Sequence, residues 1–271
     1  MTKIIENKIS ILIGTFNRSK LLIRCIDSIF NQTYKNIEVI VINDASVDNT
    51  EEVLKDLKNT YQDQLKYITN KENRGIAYNS NLAFKHSSGE YIALIGDDDY
   101  WIDKDKLKKQ LKVFKGNEDI GIVGSWWIEK SDNKEIKKSP QEPNNWKGKL
   151  LAGGGVICGS TPLILRKVWV DIGGFDENMK RGTDSELFRR IVLNEYKAKI
   201  LPEFTTVVDI SHNYNRMTPV QNIAAIKISL DANTYLLKKF KYEYLNQPMA
   251  LFARISSILK LTIKCIVKKY K

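Results

Sequence analysis

The chain has 271 residues, 42% of them apolar and 28% charged, with a formal net charge of +11. That length fits one large domain, or a catalytic domain with an appendage, and the apolar share suffices for a sizeable core. Cys25, Cys158 and Cys265 are odd in number, widely spaced and without metal-ligand spacing, which argues against a disulfide framework and for a reduced, cytoplasmic protein. Met1–Lys8 carries no secretory apolar core, and no uncharged apolar stretch is long enough to span a bilayer. Between Lys238 and Lys271 nine basic residues face one acid, Glu243, so this segment holds +8 of the +11. Basicity therefore belongs to a tail, and without stacking aromatics across a folded face it disfavours nucleic acid.

In chain order, Ile9–Ile13 reads as a buried strand ending at Gly14-Thr15, and Leu21–Phe30 as a helix. Ile37–Ile42 is a second β-branched strand closed by Asn43-Asp44-Ala45-Ser46; Asn49–Leu57 follows as a helix with Thr50 as its cap. Leu65–Ile68 predicts a third strand, leading to the loop Asn73-Arg74-Gly75 and a helix over Ala77–Ser87. This alternation predicts an α/β fold with a mostly parallel, doubly wound sheet, whose ligands sit outside the carboxyl ends of the strands.

The strand Tyr91–Ile95 ends at Gly96 and three acids, Asp97-Asp98-Asp99, then Tyr100-Trp101. Adjacent carboxylates repel, and an all-oxygen cluster suits a hard divalent cation that also grips phosphates; a solvated turn is the other reading. Further on, Leu107–Phe114 reads as an amphipathic helix and Ile120–Gly124 as a strand. Lys130–Lys149 reads as a polar loop or hairpin over the site. Ala152-Gly153-Gly154-Gly155 lacks the Lys-Ser/Thr of a P-loop and reads as close backbone approach or mobility.

From Ile9 to His212 the chain resembles the family 2 inverting glycosyltransferases of the GT-A fold, of the type that builds bacterial surface polysaccharides. The blocks that carry the resemblance are Ser10–Arg18, Ser28–Tyr34, Glu38–Ser46, Asn73–Gly75, Gly89–Trp101, Gly173–Glu177 and Gly182–Asp184, in the family's order. The resemblance implies transfer from a nucleotide-diphosphate sugar, UDP being the commonest carrier, to a hydroxyl of a glycan or lipid-linked acceptor, with Mn²⁺ or Mg²⁺ as cofactor. It implies Asp98 as the metal ligand, Asp97 beside the ribose or metal, and Asp44 at the base. Thr15, Phe16, Asn17 and Arg18 would line the nucleotide pocket, with Arg74 and Gly75 at its far side. Asp184 matches the general base, and His212 and Arg216 lie near where relatives place a pyrophosphate residue.

Two departures stand out: Gly96 replaces the Asp that commonly opens the acidic motif, and Thr183 replaces the Glu before Asp184. Plainer readings stay open at several positions. Thr183-x-x-Glu186 is also a capping box, Asp44 also a turn acid, Arg18 a solvated helix-edge charge, and His212 an ordinary core or surface histidine. Trp126 and Trp127 would either stack on an acceptor sugar or serve as core and surface partners. A haloacid-dehalogenase phosphatase would want its acids at the first strand, and a nucleotidyltransferase a richer early Gly/Arg loop. A non-catalytic nucleotide-sugar-binding scaffold on the same fold is the alternative. Residues 1–220 are expected to form the catalytic domain and 221–271 a helical extension. There Lys260, Lys264, Lys268 and Lys271 share one face, opposite Leu251, Ile255, Ile258, Leu259, Ile266 and Val267, as in a helix lying on an anionic membrane.

Overall fold

The computed structural model describes residues 3–211 and 223–269. Its first half is the expected alternation: β1 (Ile5–Thr15), α1 (Ser19–Phe30), β2 (Ile37–Asn43), α2 (Thr50–Tyr61), β3 (Leu65–Thr69), α3 (Ile76–Lys85) and β4 (Gly89–Leu94). The chain continues through β5 (Tyr100–Trp101), α4 (Lys106–Phe114), β6 (Ile120–Ser131), β7 (Lys134–Lys138), α5 (Trp146–Ala152) and β8 (Leu163–Leu165). It closes with α6 (Arg166–Ile172), α7 (Thr183–Leu193), β9 (Lys197–Asp209), α8 (Ile223–Lys239), α9 (Lys241–Leu245) and α10 (Pro248–Lys269).

The strands form one sheet in the order β3-β2-β1-β4-β8-β6-β9-β5, with β7 paired to β6. Strands β3, β2, β1 and β4 are mutually parallel, as is β6 with β9. The pairings β4–β8, β6–β8, β6–β7 and β5–β9 are antiparallel. The expected parallel half is thus present, and the whole sheet is mixed because β5, β7 and β8 each run antiparallel to the strands they pair with.

Alternate residues of β1 feed two cores: Ile9, Ile11 and Ile13 pack with α1, α2 and α4, while Leu12 joins Ile40, Ile42 and the α3, α6 and α7 side. Burial on both faces is why these strands read as continuous apolar runs. The chain leaves β1 toward β2 and β3 on one side and returns to β4 on the other, so a crevice opens between the ends of β1 and β4.

Three local expectations change. The start of α2 is held by Asp48, whose Oδ1 accepts from Thr50 N at 3.1 Å, rather than by Thr50 as a cap. The glycine run is a helix stop: Gly153 ends α5 at φ +96°, and Gly154 N reaches back to Lys149 O at 3.0 Å. The Lys130–Lys149 excursion is the β6–β7 turn and hairpin leading into α5, and none of its residues lines the crevice. Helices α8, α9 and α10 pack on α5 through a third core that includes Leu151, Leu236, Phe240, Tyr244 and Ala250.

Candidate active site

The crevice is a cleft of about 580 Å³ lined by the end of β1, the turn after β2, the start of α3, the loop after β4, the loop before β8, Phe175, the start of α7 and the end of β9. Thr15, Phe16, Arg18, Asp44, Gly75, Asp97, Asp98 and Asp184 all line it. Asn17 and Arg74 do not. Asn17 Oδ1 accepts from Val47 N at 2.7 Å and braces the turn after β2, while the Arg74 side chain pairs with Glu72 and stacks on Tyr78. His212 and Arg216 lie outside the described residues. Trp126 packs against Phe204 and Trp127 is buried; neither lines the cleft, which removes the acceptor-stacking reading.

Asp44 is 2% exposed, and its Oδ1 accepts from Arg74 N and Asn70 Nδ2, its Oδ2 from Gly75 N, each at 2.8 Å. It shapes the loop entering α3, at the positive end of that helix, and lines the cleft.

The acidic loop is built by long-range bonds. Arg18 Nη1 lies 2.7 Å from Asp97 Oδ1 and 2.8 Å from Asp98 Oδ2. Arg24 Nη2 donates to Asp98 O at 2.6 Å and its Nη1 pairs with Asp209 Oδ2 at 2.7 Å. Asp99 accepts from Asp209 N at 3.0 Å and from the Ser160 hydroxyl, and Ser160 Oγ accepts from Gly96 N at 2.9 Å. A Cβ at Gly96 would lie 2.8 Å from Asp98 Oδ1 and 3.2 Å from Asp99 Oδ2, so a fourth acid there would require these carboxylates to shift. Burial raises the pKa of both Asp97 and Asp99, and the neighbouring Asp98 adds to the effect.

Thr15 Oγ1 and Asp97 Oδ2 are buried cleft atoms that make no well-formed hydrogen bond among the described residues, although the Thr15 hydroxyl lies close enough to Asp97 to help hold its pKa down. Both residues line the cleft beside Asp98 and Asp99, and carboxylate and hydroxyl oxygens of this kind suit a hard divalent cation; in this structure the Arg18 guanidinium stands between Asp97 and Asp98. Among the described residues no three His, Cys, Asp or Glu side chains are placed to hold a metal ion together, so such a cation would draw further oxygens from substrate or water.

Asp184 stands in the first turn of α7, where Oδ1 accepts from Ser185 N at 2.7 Å. Burial raises its pKa, which strengthens it as a base. The capping-box reading is not realised. Gly182, in a left-handed conformation, precedes the helix with no side-chain cap, and the Glu186 carboxylate turns instead to Arg190 at 2.6 Å and Lys239 at 2.8 Å. A Cβ on Gly159 would stand 2.8 Å from Asp184 Oδ2, so a larger residue where that loop passes would push the carboxylate aside.

Residues that the sequence did not mark also shape the cleft. Ser160 and Asp209 reach the acidic loop from 61 and 110 residues away from Asp99, and no local pattern announces them. Arg181 lines the cleft three positions before Asp184, and burial alone lowers its pKa.

The model of the glycosyl transferase family 2 matches residues 10–168. Among curated relatives, the Escherichia coli protein WfaP, a UDP-Glc:α-D-GlcNAc-diphosphoundecaprenol β-1,3-glucosyltransferase, is 31% identical over 122 residues, 45% of this chain and 47% of its own length. Among solved structures, S. aureus TarS bound to UDP superposes with a TM-score of 0.67 at 17% identity, covering 94% of this chain and 70% of that one. The mannosyltransferase PcManGT of Pyrobaculum calidifontis, bound to GDP-Man and Mn²⁺, gives 0.64 at 20% identity over 94% and 75%. The mixed sheet is that of the GT-A glycosyltransferases. With more than half its length matched by the family model, and its acids gathered at the strand ends, the chain belongs to glycosyl transferase family 2.

Proposed function

We propose that the protein is a metal-dependent inverting glycosyltransferase that moves a sugar from a UDP-sugar to a hydroxyl of a glycan or lipid-linked acceptor in surface-polysaccharide assembly. The carrying observation is that Asp44, Asp97, Asp98 and Asp184, from distant parts of the chain, line one cleft. WfaP's UDP-glucose donor and lipid-diphosphate acceptor, and the UDP and Mn²⁺ complexes of TarS and PcManGT, support the reading by similarity.

In this reading Thr15, Phe16, Asp44 and Gly75 hold the nucleoside. Asp98, with Asp97 beside it, would hold Mn²⁺ or Mg²⁺, which supplies positive charge against the departing diphosphate. Asp184 takes the proton of the acceptor hydroxyl as that oxygen bonds to the anomeric carbon and the bond from that carbon to the phosphate oxygen breaks, inverting configuration. Residues 1–220 form the catalytic domain, and 221–271 a helical extension whose last helix lies on the inner face of the cytoplasmic membrane. No helix among the described residues is long and apolar enough to cross a membrane.

A panel of nucleotide sugars, each with and without Mn²⁺, tests this by thermal stabilisation and slow hydrolysis. A UDP-sugar is expected to stabilise and be hydrolysed only with the cation. Stabilisation without hydrolysis or transfer would favour a scaffold, and no response to any nucleotide sugar would remove the reading.

A further inference from the structure

One nitrogen, Arg18 Nη1, sits between Asp97 Oδ1 at 2.7 Å and Asp98 Oδ2 at 2.8 Å, the position a cation shared by the two carboxylates would take. Arg18 is not the sole support of the acidic loop. Asp98 is held through its carbonyl by Arg24, and Asp99 through its amide by Gly96 O at 3.1 Å and through its carboxylate by Asp209 N. The backbone of Arg18 is anchored separately: its carbonyl accepts from Leu22 N at 3.0 Å in the first turn of α1, and Asn17 N donates to Ser46 Oγ at 3.0 Å. If the guanidinium moves, these bonds to Asp98, to Asp99 and to the backbone of residues 17 and 18 are kept. Two carboxylates alone are also a sparse site, since Mg²⁺-type ions at such sites complete their shells from substrate phosphates.

We propose that Arg18 is an internal counter-ion that keeps divalent metal out of the empty site and swings to the donor's diphosphate when metal and nucleotide enter together. This rests on the cation-dependent reading above. It makes Arg18 the residue that couples the order of binding: the acids are neutralised at every stage, first by the guanidinium and then by the metal, while the guanidinium moves to the phosphates that the metal brings.

Mn²⁺ titrations of the full chain, followed by electron paramagnetic resonance with and without UDP, test it. Arg18→Gln is expected to bind Mn²⁺ alone at least tenfold more tightly than wild type, while Arg18→Lys, which keeps the charge, stays within about threefold of wild type. Calorimetry should show Arg18→Gln losing affinity for UDP but not for uridine. If wild type takes up Mn²⁺ with UDP yet Arg18→Gln gains nothing without it, the counter-ion role is overturned and the metal reading survives. If neither protein binds Mn²⁺ with or without UDP, both fall. Should Arg18→Gln fail to fold, Arg18→Met carries the same comparison, and an unchanged UDP-to-uridine preference there overturns the proposal.

Discussion

Asp184 is open to two uses, helix stabilisation and proton transfer, and its electrostatics separate them. A carboxylate in the first turn of α7 is favoured by the helix dipole, worth roughly 0.3–1 kcal/mol when exposed. Burial nonetheless raises its pKa, so the folded state holds the proton more tightly than the unfolded chain does. A raised acid contributes stability at low pH that is lost as pH climbs through its folded value, so at pH 7.5 the ionised group weakens the fold. Asp184→Asn is therefore expected to melt at or above the wild-type temperature at pH 7.5. Transfer should fall by about 10²–10⁴-fold, the range of general-base catalysis, with UDP affinity unchanged. A clear drop in melting temperature with transfer retained would return Asp184 to a purely structural role. In wild type the same shift makes transfer rise with pH through the raised pKa and then level off.

Among the elements, the four parallel strands are tied at their amino ends by one buried acid, far from the cleft. Glu38 of β2 accepts from Ser10 Oγ of β1 at 2.8 Å, from Ser88 N at 2.6 Å just before β4, and from Lys66 Nζ of β3 at 3.1 Å. Burial works to raise its pKa, but the Ser88 amide and the Ser10 and Ser88 hydroxyls, with Lys66, hold it down to about 2. A depressed acid contributes stability above its unfolded value and loses it as pH falls toward the folded one. Glu38→Gln should cost about 1–3 kcal/mol in urea unfolding at pH 7, and the gap to wild type should narrow between about pH 4.5 and 2. An equal gap at pH 7 and pH 3 would deny the network its charge. The strands that Glu38 joins were legible in the sequence because burial on both faces writes continuous runs, as in Ile9–Ile13 and Ile37–Ile42. Strands β5 and β8, of two and three residues, were not, since pairing alone defines them. The site divides the same way. Acids at strand ends follow from the parallel order, whereas Arg24, Ser160 and Asp209 enter through bonds spanning dozens of residues that no local spacing encodes. Asn17 and Arg74 belong to legible motifs, but their side chains serve the loops rather than the cleft.

At the scale of the whole molecule, α10 is both a brace and a free surface. Arg254 is 4% exposed, donating to Leu151 O at 2.6 Å, Tyr244 Oη at 3.0 Å and Asn233 Oδ1 at 2.6 Å. On the neighbouring sector Met249, Phe252, Ile255, Leu259, Ile263, Ile266 and Val267 are exposed, and Lys260, Lys264 and Lys268 flank them. The sequence set of apolar positions is thus split. Leu251 and Ile258 turn partly inward, and Met249, Phe252 and Ile263 join the outward strip. An apolar strip edged by lysines complements an anionic bilayer, the headgroups meeting the ammonium groups and the side chains entering the acyl boundary. Removing the whole helix is the wrong test, because it would take Arg254 from its three acceptors and open the third core. The triple substitution Phe252→Ser, Leu259→Ser, Ile263→Ser leaves those contacts intact. Each buried side chain is worth about 1.5–3 kcal/mol, so cosedimentation with phosphatidylglycerol vesicles should weaken at least a hundredfold with the melting temperature held. Lys260→Gln with Lys264→Gln should instead weaken binding about tenfold or more at low salt, and little on neutral vesicles, each lysine contributing about 1 kcal/mol near an anionic surface. Wild-type protein that ignores anionic vesicles, or a triple variant that binds as well as wild type, would leave the strip without a membrane role.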